Sequence, residues 1–360
     1  MGTELDRGTL TLAIDVMGSD EGASEVIAGC AAALADGLQA KLLLVGQEDA
    51  IQNAVSKHSL PSGRVNHLYA DGVVAMSDKP ARALRKSRDS SMWAAIERVK
   101  LGNAHGVVSC GNTGALMAIA RMQLKMIEGV DRPAASALWP TMTGKAVVLD
   151  VGANVEVTAE QLVQFAIMGE AYHRSLSGKD KPAVGLLNVG EEDLKGSMLI
   201  KNAAKILREA DPEMNFIGFV EGNNISEGDI DVVVTDGFTG NVALKTAEGT
   251  ARLIGGWVKD ALTETMLSKL GALAMMGSLK RLKAKMDPSS VNGAPFLGLG
   301  GLVVKSHGGA DAAGVVSAVN MAERLAANPF LDEIRRTIAS VSARAQSVEV
   351  DEIPPVAAAK

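Results

Sequence analysis

Several short stretches of this sequence combine flexible backbone with polar side chains at spacings that suit an oxyanion. Gly111-Asn112-Thr113-Gly114 follows the apolar run GVVSC and precedes a helical pattern. Glycine lets backbone N–H groups turn toward a ligand, and a helix start adds positive potential. Asn112 and Thr113 add polar side chains, so Gly111, Asn112 and Thr113 form a candidate phosphate cradle. The same residues also read as a tight βα turn with a capped helix. The Lys-Ser/Thr pair of a P-loop is missing. Gly237-Phe238-Thr239-Gly240-Asn241 repeats this chemistry after Asp236, with Lys245 one helical turn beyond Asn241.

Other residues carry charge or proton chemistry. Glu191, Glu192, Asp193 and Lys195 share one loop. Paired carboxylates there suit a metal or acid–base work, and equally a solvated capping loop. Lys195 is a cation able to polarise a carbonyl or hold phosphate. His307, in SHGG, is a candidate proton-transfer group by its residue type, with a structural role as the alternative. Cys110 reads as a small buried residue, because no His neighbours it in sequence. Arg82, Arg85, Lys86 and Arg88 make a compact basic cluster, either a docking face for an anion or acidic protein or a solvated face. No GxGxxG follows the first strand and no CxxC or HExxH occurs, which removes most support for dinucleotide, redox and zinc chemistry.

The elements that must position these loops follow one grammar. An apolar run leads into a polar Gly/Asn/Asp/Ser loop and then a helical pattern, beginning at residues 10, 106, 145, 183, 231 and 300. Continuous apolar strands alternating with helices predict an α/β fold, a mainly parallel sheet with helices on both faces. Loops after the strands then gather along one sheet edge, where ligands bind. Thr158 and Gln161 predict a capping box at a helix start. Residues 262–286 contain no strand. Leu262, Met266, Leu270, Leu273 and Met276 have roughly helical spacing, and Lys280, Arg281, Lys283 and Lys285 crowd the far end. Gly271 and Gly277 predict a hairpin with Leu273, Met275 and Met276 near its tip. Such a segment fits a lipid interface, and equally a dimer-packing helix pair. Residues 346–360 read as a disordered tail.

Composition sets the outer bounds. The 360 residues are 47% apolar and 22% charged, enough for a sizeable core and too apolar for a disordered chain. Aromatics at 3% and a net charge of −6 argue against a nucleic-acid binder. Cys30 and Cys110 cannot build a disulfide framework, so a reducing compartment is expected. The N-terminus lacks a signal-type apolar region and no uncharged run of membrane-spanning length occurs. A cytoplasmic protein without a membrane span is the expectation.

The loops taken in order resemble the bacterial acyl-ACP:phosphate acyltransferases, the PlsX family. The resemblance covers residues 10 to 328 and rests on IDVMGSD, RKSRDSSM, SCGNTGALM, LDVGANVE, LNVGEEDLKG, NFIGFVEG, DGFTGNVALKTAEG and GAPFLGLGG…SHGGAD. It implies a fold similar to isocitrate and isopropylmalate dehydrogenases and to phosphotransacetylases, and a homodimer. It implies conversion of a fatty acyl thioester on acyl carrier protein, with inorganic phosphate, into acyl phosphate. That product feeds a glycerol-3-phosphate acyltransferase at the membrane in phospholipid synthesis. Peripheral association with the inner face of the cell membrane is implied, and no metal or organic cofactor. Cys110 stands where Ala is frequent in the family, which counts against a cysteine nucleophile.

On this reading Asn112 donates to the developing oxyanion, Lys195 stabilises charge and His307 transfers a proton. Gly111, Thr113, Asn154, Asp236 and Asn241 bind and orient substrate. Arg82, Arg85, Lys86 and Arg88 dock the acidic carrier protein, and Leu270, Leu273, Met275 and Met276 contact the membrane. One domain is expected over 1–330, with a C-terminal extension over 331–360. Rival readings are a phosphotransacetylase acting on acyl-CoA, a decarboxylating dehydrogenase on the same fold, and a non-catalytic membrane-associated adaptor for the carrier protein.

Overall fold

The computed structural model describes residues 10–279 and 293–350. The apolar runs become strands and the periodic segments helices. The first block is β1 (Thr11–Asp15), α1 (Ala23–Ala35), β2 (Lys41–Gly46), α2 (Glu48–Val55), β3 (Val65–Tyr69), α3 (Pro80–Lys86), α4 (Ser91–Lys100), β4 (Gly106–Ser109) and α5 (Thr113–Leu124). The second is β5 (Ala134–Pro140), β6 (Lys145–Leu149), α6 (Ala159–Ser177), β7 (Val184–Leu187), α7 (Met198–Ala210), β8 (Phe216–Val220) and β9 (Val232–Val234). Then follow α8 (Gly237–Thr263), α9 (Met266–Ala274), β10 (Ala294–Leu297), β11 (Leu302–Lys305), α10 (Ala312–Ala326) and α11 (Phe330–Ala345). The capping box forms as the sequence predicts: Gln161 N–H donates to the Thr158 hydroxyl, and the Gln161 side chain accepts from Thr158 N–H.

One sheet of eleven strands runs β3-β2-β1-β4-β11-β10-β5-β6-β9-β7-β8. The block β3-β2-β1-β4-β11 is parallel throughout, as is β6-β9-β7-β8. Three successive antiparallel pairings, β11–β10, β10–β5 and β5–β6, join them. An odd number of reversals makes the second block run against the first. Loops after β1, β4 and β11 therefore leave one edge of the sheet, and loops after β6, β9 and β7 leave the other. This corrects the expectation of a single ligand-binding edge. An apolar run reports that a strand is buried, not which way it points relative to a distant one.

Helices cover both faces. Phe165 and Tyr172 of α6 are fully buried, and α1 packs closely on α10. Gly29 permits that approach, since a Cβ there would lie 2.5 Å from Val315 Cβ. The boundary expected at residue 330 is not a packing boundary. Phe330, Ile334, Ile338 and Val341 of α11 are buried in the main core, and Glu333 pairs with Arg174 of α6. The segment over 262–286 also differs from expectation. It breaks twice among the described residues, at Glu264–Thr265, where Thr265 caps α9, and at Met275, within the stretch expected at the tip, while Gly271 lies inside α9. Thr265 and Ser268 satisfy each other's N–H groups there, a local cap that outweighs the helix-breaking tendency of glycine. Lys280, Arg281, Lys283 and Lys285, and the tail from 351, lie outside the described residues.

Candidate active site

The first sheet edge holds a row that spans three neighbouring strands. Asp15, Ser109 and Lys305 are in register at the C-terminal ends of β1, β4 and β11. Asp15 is 1% exposed and receives hydrogen bonds from two hydroxyls, Ser91 Oγ at 2.6 Å and Ser109 Oγ at 2.7 Å. Burial pushes its carboxyl above the usual range, against those hydrogen bonds and the Lys305 charge. Ser109 Oγ in turn accepts from Gly111 N–H at 3.0 Å. Lys305 Nζ donates to Cys110 O at 3.3 Å and to Ser306 O. Burial lowers its pKa to about 8, partly opposed by Cys110, Asp20 and Asp15. Burial also raises the Cys110 thiol, so it does not have the character of an activated nucleophile.

The Gly111–Gly114 loop opens directly from this row. Gly18 and Gly111 touch backbone to backbone, and a Cβ on Gly18 would sit 2.6 Å from Gly111 Cα and N. Asn112 caps α5, its Oδ1 accepting from Ala115 N–H at 3.0 Å. Its Nδ2 faces three carbonyls of a neighbouring loop: Ala75 at 3.3 Å, Met76 at 2.7 Å and Asp78 at 2.9 Å. Asn112 is thus a clamp rather than an oxyanion donor, because its amide is already committed. Gly111 N–H is likewise committed to Ser109. What remains at the start of α5 are the Thr113 and Gly114 N–H groups, which have no acceptor among the described residues. Two unpaired amides at the positive end of a 12-residue helix offer donors to an anion, one residue further along than the expected cradle.

Two more loops close on the same edge. His307 is exposed, and its Nδ1 accepts from Gly309 N–H at 3.2 Å. Gly308 O accepts from Asp20 N–H and Ser19 Oγ, which ties the loop after β11 to the loop after β1. A Cβ on Gly308 would lie 2.5 Å from Met76 Cε, so the clamped 75–78 loop reaches this point as well. Gly111, Asn112, Thr113 and His307 therefore come together.

Asn154, Asp236, Asn241 and Lys195 form a second group on the opposite edge. Asp150 is fully buried there, and its oxygens accept from Ala135, Ala153 and Asn154 N–H and from Asn154 Nδ2. Burial raises its pKa against those four bonds. Gly237 N–H donates to Asn154 O at 2.7 Å, locking α8 onto this loop. The Gly237–Gly240 stretch is the first turn of α8 rather than a loop. Asp236 caps it, both carboxylate oxygens occupied by Thr239. Exposed Asn241 lies one turn inside, beside Gly152. Lys195 is exposed and paired with Glu192 at 2.9 Å, which raises the pKa of Lys195 and lowers that of Glu192. The acidic loop is thus the solvated one of the two readings, and Lys195 does not stand beside the Thr113 cradle.

Asp15, Ser91, Ser109, Lys305 and Asp150 were not singled out from the sequence. They sit inside or beside apolar runs such as LTLAIDV and GGLVVKS, and only strand pairing brings them abreast.

The basic cluster is exposed on and just beyond α3. Arg82 pairs with Asp78 at 3.6 Å, Arg85 and Lys86 end the helix, and Arg88 stacks over Trp93 at 5.9 Å. Next to it, an apolar groove of about 490 Å³ runs between α3 and α5, lined by Leu84, Ala118, Arg121, Met122, Lys125 and Met126. On the opposite block, α8 exposes Leu253, Ile254, Trp257 and Val258 as one stripe. Leu270, Leu273, Met275 and Met276 are exposed in and after α9. No helix among the described residues is long and apolar enough to cross a membrane.

Comparison with known proteins agrees with this architecture. Phosphotransacetylase from Streptococcus pyogenes superposes with a TM-score of 0.59 at 17% identity, covering 89% of this chain and 94% of that one. EutD phosphotransacetylase from Staphylococcus aureus gives 0.56 at 15% identity over 88% and 94%. These likenesses show the fold. A phosphate acyltransferase of Maricaulis maris is 51% identical over 331 residues, 91% of this chain and 94% of that protein. One of Caulobacter vibrioides is 49% identical over 341 residues, 95% of each. The sequence model of the family described as "Fatty acid synthesis protein" matches residues 10–332. With that match spanning nearly the whole folded body, the chain belongs to this family of fatty acid synthesis proteins.

Proposed function

We propose that this chain transfers a fatty acyl group from the thioester of acyl carrier protein to inorganic phosphate, releasing acyl phosphate and the carrier thiol. The observation that carries this reading is the pair of unpaired amides at Thr113 and Gly114, with the Lys305 ammonium bonded to the Cys110 carbonyl three residues before them. Two free amides and a nearby ammonium suit a phosphate dianion, and no nucleophilic side chain is activated there. Phosphate itself is then the nucleophile. The reaction needs the anion oriented toward the thioester carbonyl and the developing charge met by fixed donors. Asn112 serves by holding the 75–78 loop over the cradle. The activity of the relatives from Maricaulis and Caulobacter supports the same assignment.

The partners follow from the surfaces. Acyl carrier protein, being acidic, docks on Arg85, Lys86 and Arg88, with Arg121 and Lys125 rimming the adjoining groove. Two copies pair through the stripe on α8, and Leu270, Leu273, Met275 and Met276 rest on an anionic membrane face, where a glycerol-3-phosphate acyltransferase consumes the product. The rival with a specific structural motive is acyl-CoA:phosphate transfer, because the fold is that of phosphotransacetylases. Purified protein given acyl carrier protein and CoA thioesters of the same chain, each with phosphate, separates them. Preference for the carrier thioester in kcat/KM supports the proposal. Equal or greater use of acyl-CoA supports the rival.

A further inference from the structure

Lys305 is a half-buried cation at a strand end, bonded to the Cys110 carbonyl just before the Gly111 loop, and its surroundings are specific. It ends β11, in register with Ser109 and, one strand further, with Asp15. Its Nζ is held by the carbonyls of Cys110 and Ser306, at the two strand ends that lead into the Gly111 and His307 loops. The charged and titratable groups around it are Asp15 on β1, Asp20 in the following loop and Cys110 after β4. Asp15 is fixed from both sides by the Ser91 and Ser109 hydroxyls. Beyond countering the phosphate charge, an ammonium held between two loop carbonyls and largely shut off from water comes within reach of deprotonation near neutral pH.

We propose that Lys305 protonates the departing thiolate, with Asp15 and Ser109 as the positioning residues that hold the row in place. The inference rests on the acyl-transfer reading above. A phosphate oxygen forms a bond to the acyl carbon, the C–S bond breaks, and its electron pair goes to sulfur. Sulfur takes a proton from Nζ. The monohydrogen phosphate, once acylated, returns its own proton to the neutral amine, so the enzyme ends as it began. Burial brings the Nζ pKa to about 8, close to that of an alkyl thiol, where such transfer is most efficient. His307 is exposed on the neighbouring loop and is the alternative donor.

The test compares two thioesters of the same acyl group, one on the carrier's alkyl thiol and one on an aryl thiol that leaves without a proton. For the wild-type protein, kcat with the alkyl thioester falls as pH rises through about 8, because the deprotonated amine has no proton to give, and kcat with the aryl thioester does not. Lys305→Met loses roughly a hundredfold or more in kcat on the alkyl thioester and regains most of it on the aryl one. Lys305→Arg keeps the charge and fails to rescue the alkyl reaction. Equal losses on both thioesters, full rescue by Arg, or an alkaline limb shared by both substrates would overturn the proposal. So would retention of that limb in Lys305→Met together with its disappearance in His307→Gln. The wild-type comparison needs no variant to fold, and wild-type protein that forms no acyl phosphate refutes the acyl-transfer reading instead.

Discussion

Thr113 offers a way to remove phosphate donors at the start of α5 without breaking the helix. It is the first residue of α5, a position where proline is well accepted because its missing N–H has no helical acceptor. The residue before it, Asn112, has φ −51° and ψ 116°, outside the helical region that a following proline disfavours. The bonds from Ala115 and Leu116 N–H to Asn112 stay in place, since neither involves the Thr113 amide. Thr113→Pro therefore subtracts one N–H and the Thr113 hydroxyl from the cradle and leaves the helix intact, and Thr113→Val, which loses only the hydroxyl, gives the share of the amide by difference. A hydrogen bond to a charged group is worth about 1.5–3 kcal/mol, or roughly 10- to 150-fold in affinity. The expected result is a rise of that size in KM for phosphate, with KM for the acyl carrier thioester within about twofold of normal. Initial rates of acyl phosphate formation at varied phosphate give both constants, and thermal unfolding checks the fold. Unchanged phosphate KM in a folded variant would refute the cradle. An equal rise in both constants would mean a general distortion.

Asn112→Ala removes a helix cap and the donor to the 75–78 carbonyls, so unlike Thr113→Pro it should destabilise. A cap at about 1 kcal/mol and a lost clamp of about 1–2 kcal/mol predict a fall in Tm of roughly 3–4 °C by calorimetry, and an unchanged Tm with collapsed activity would contradict the clamp. Gly18→Ala places a Cβ 2.6 Å from Gly111 backbone and should separate the two loops, abolishing turnover; wild-type rates would show that the contact is dispensable. Ile338→Ala, in the buried face of α11, should cost about 2–5 kcal/mol by urea titration, whereas a loss under 1 kcal/mol would mean that α11 is a dispensable appendage. Met275→Glu with Met276→Glu should release the protein from anionic vesicles while leaving turnover in solution unchanged; loss of the dimer by sedimentation instead would place this segment in the subunit interface.

Much of the architecture is legible because most buried strands are continuous apolar runs and several helices, α4 to α10 among them, start on a side-chain cap. Thr158 and Gln161 show this best, since a capping box is complete within four consecutive residues. Strand direction is not local. β5 and β10, which the sequence grammar does not mark, pair antiparallel, turn the second block around and separate Lys195, Asn154, Asp236 and Asn241 from the Thr113 cradle. Asn112 was found for its chemistry but misread in its role, because the carbonyls that occupy it come from residues 75–78, more than thirty positions earlier. Asp15 and Lys305 escaped notice for a related reason. A carboxylate and an ammonium at the ends of apolar strands gain meaning only when β4 brings them into one row. The Gly237–Gly240 stretch shows that a Gly-rich sequence can start a helix when an aspartate precedes it.

The central claim is that phosphate attacks the thioester directly. The most direct measurement supplies fully ¹⁸O-labelled inorganic phosphate with fatty acyl carrier protein and weighs the product by mass spectrometry. Direct attack predicts acyl phosphate carrying every labelled oxygen, formed only when phosphate is present, with one carrier thiol released per product. A stoichiometric burst of carrier thiol before phosphate is added, as an acyl-enzyme would give, or free fatty acid as the sole acyl product, would contradict it.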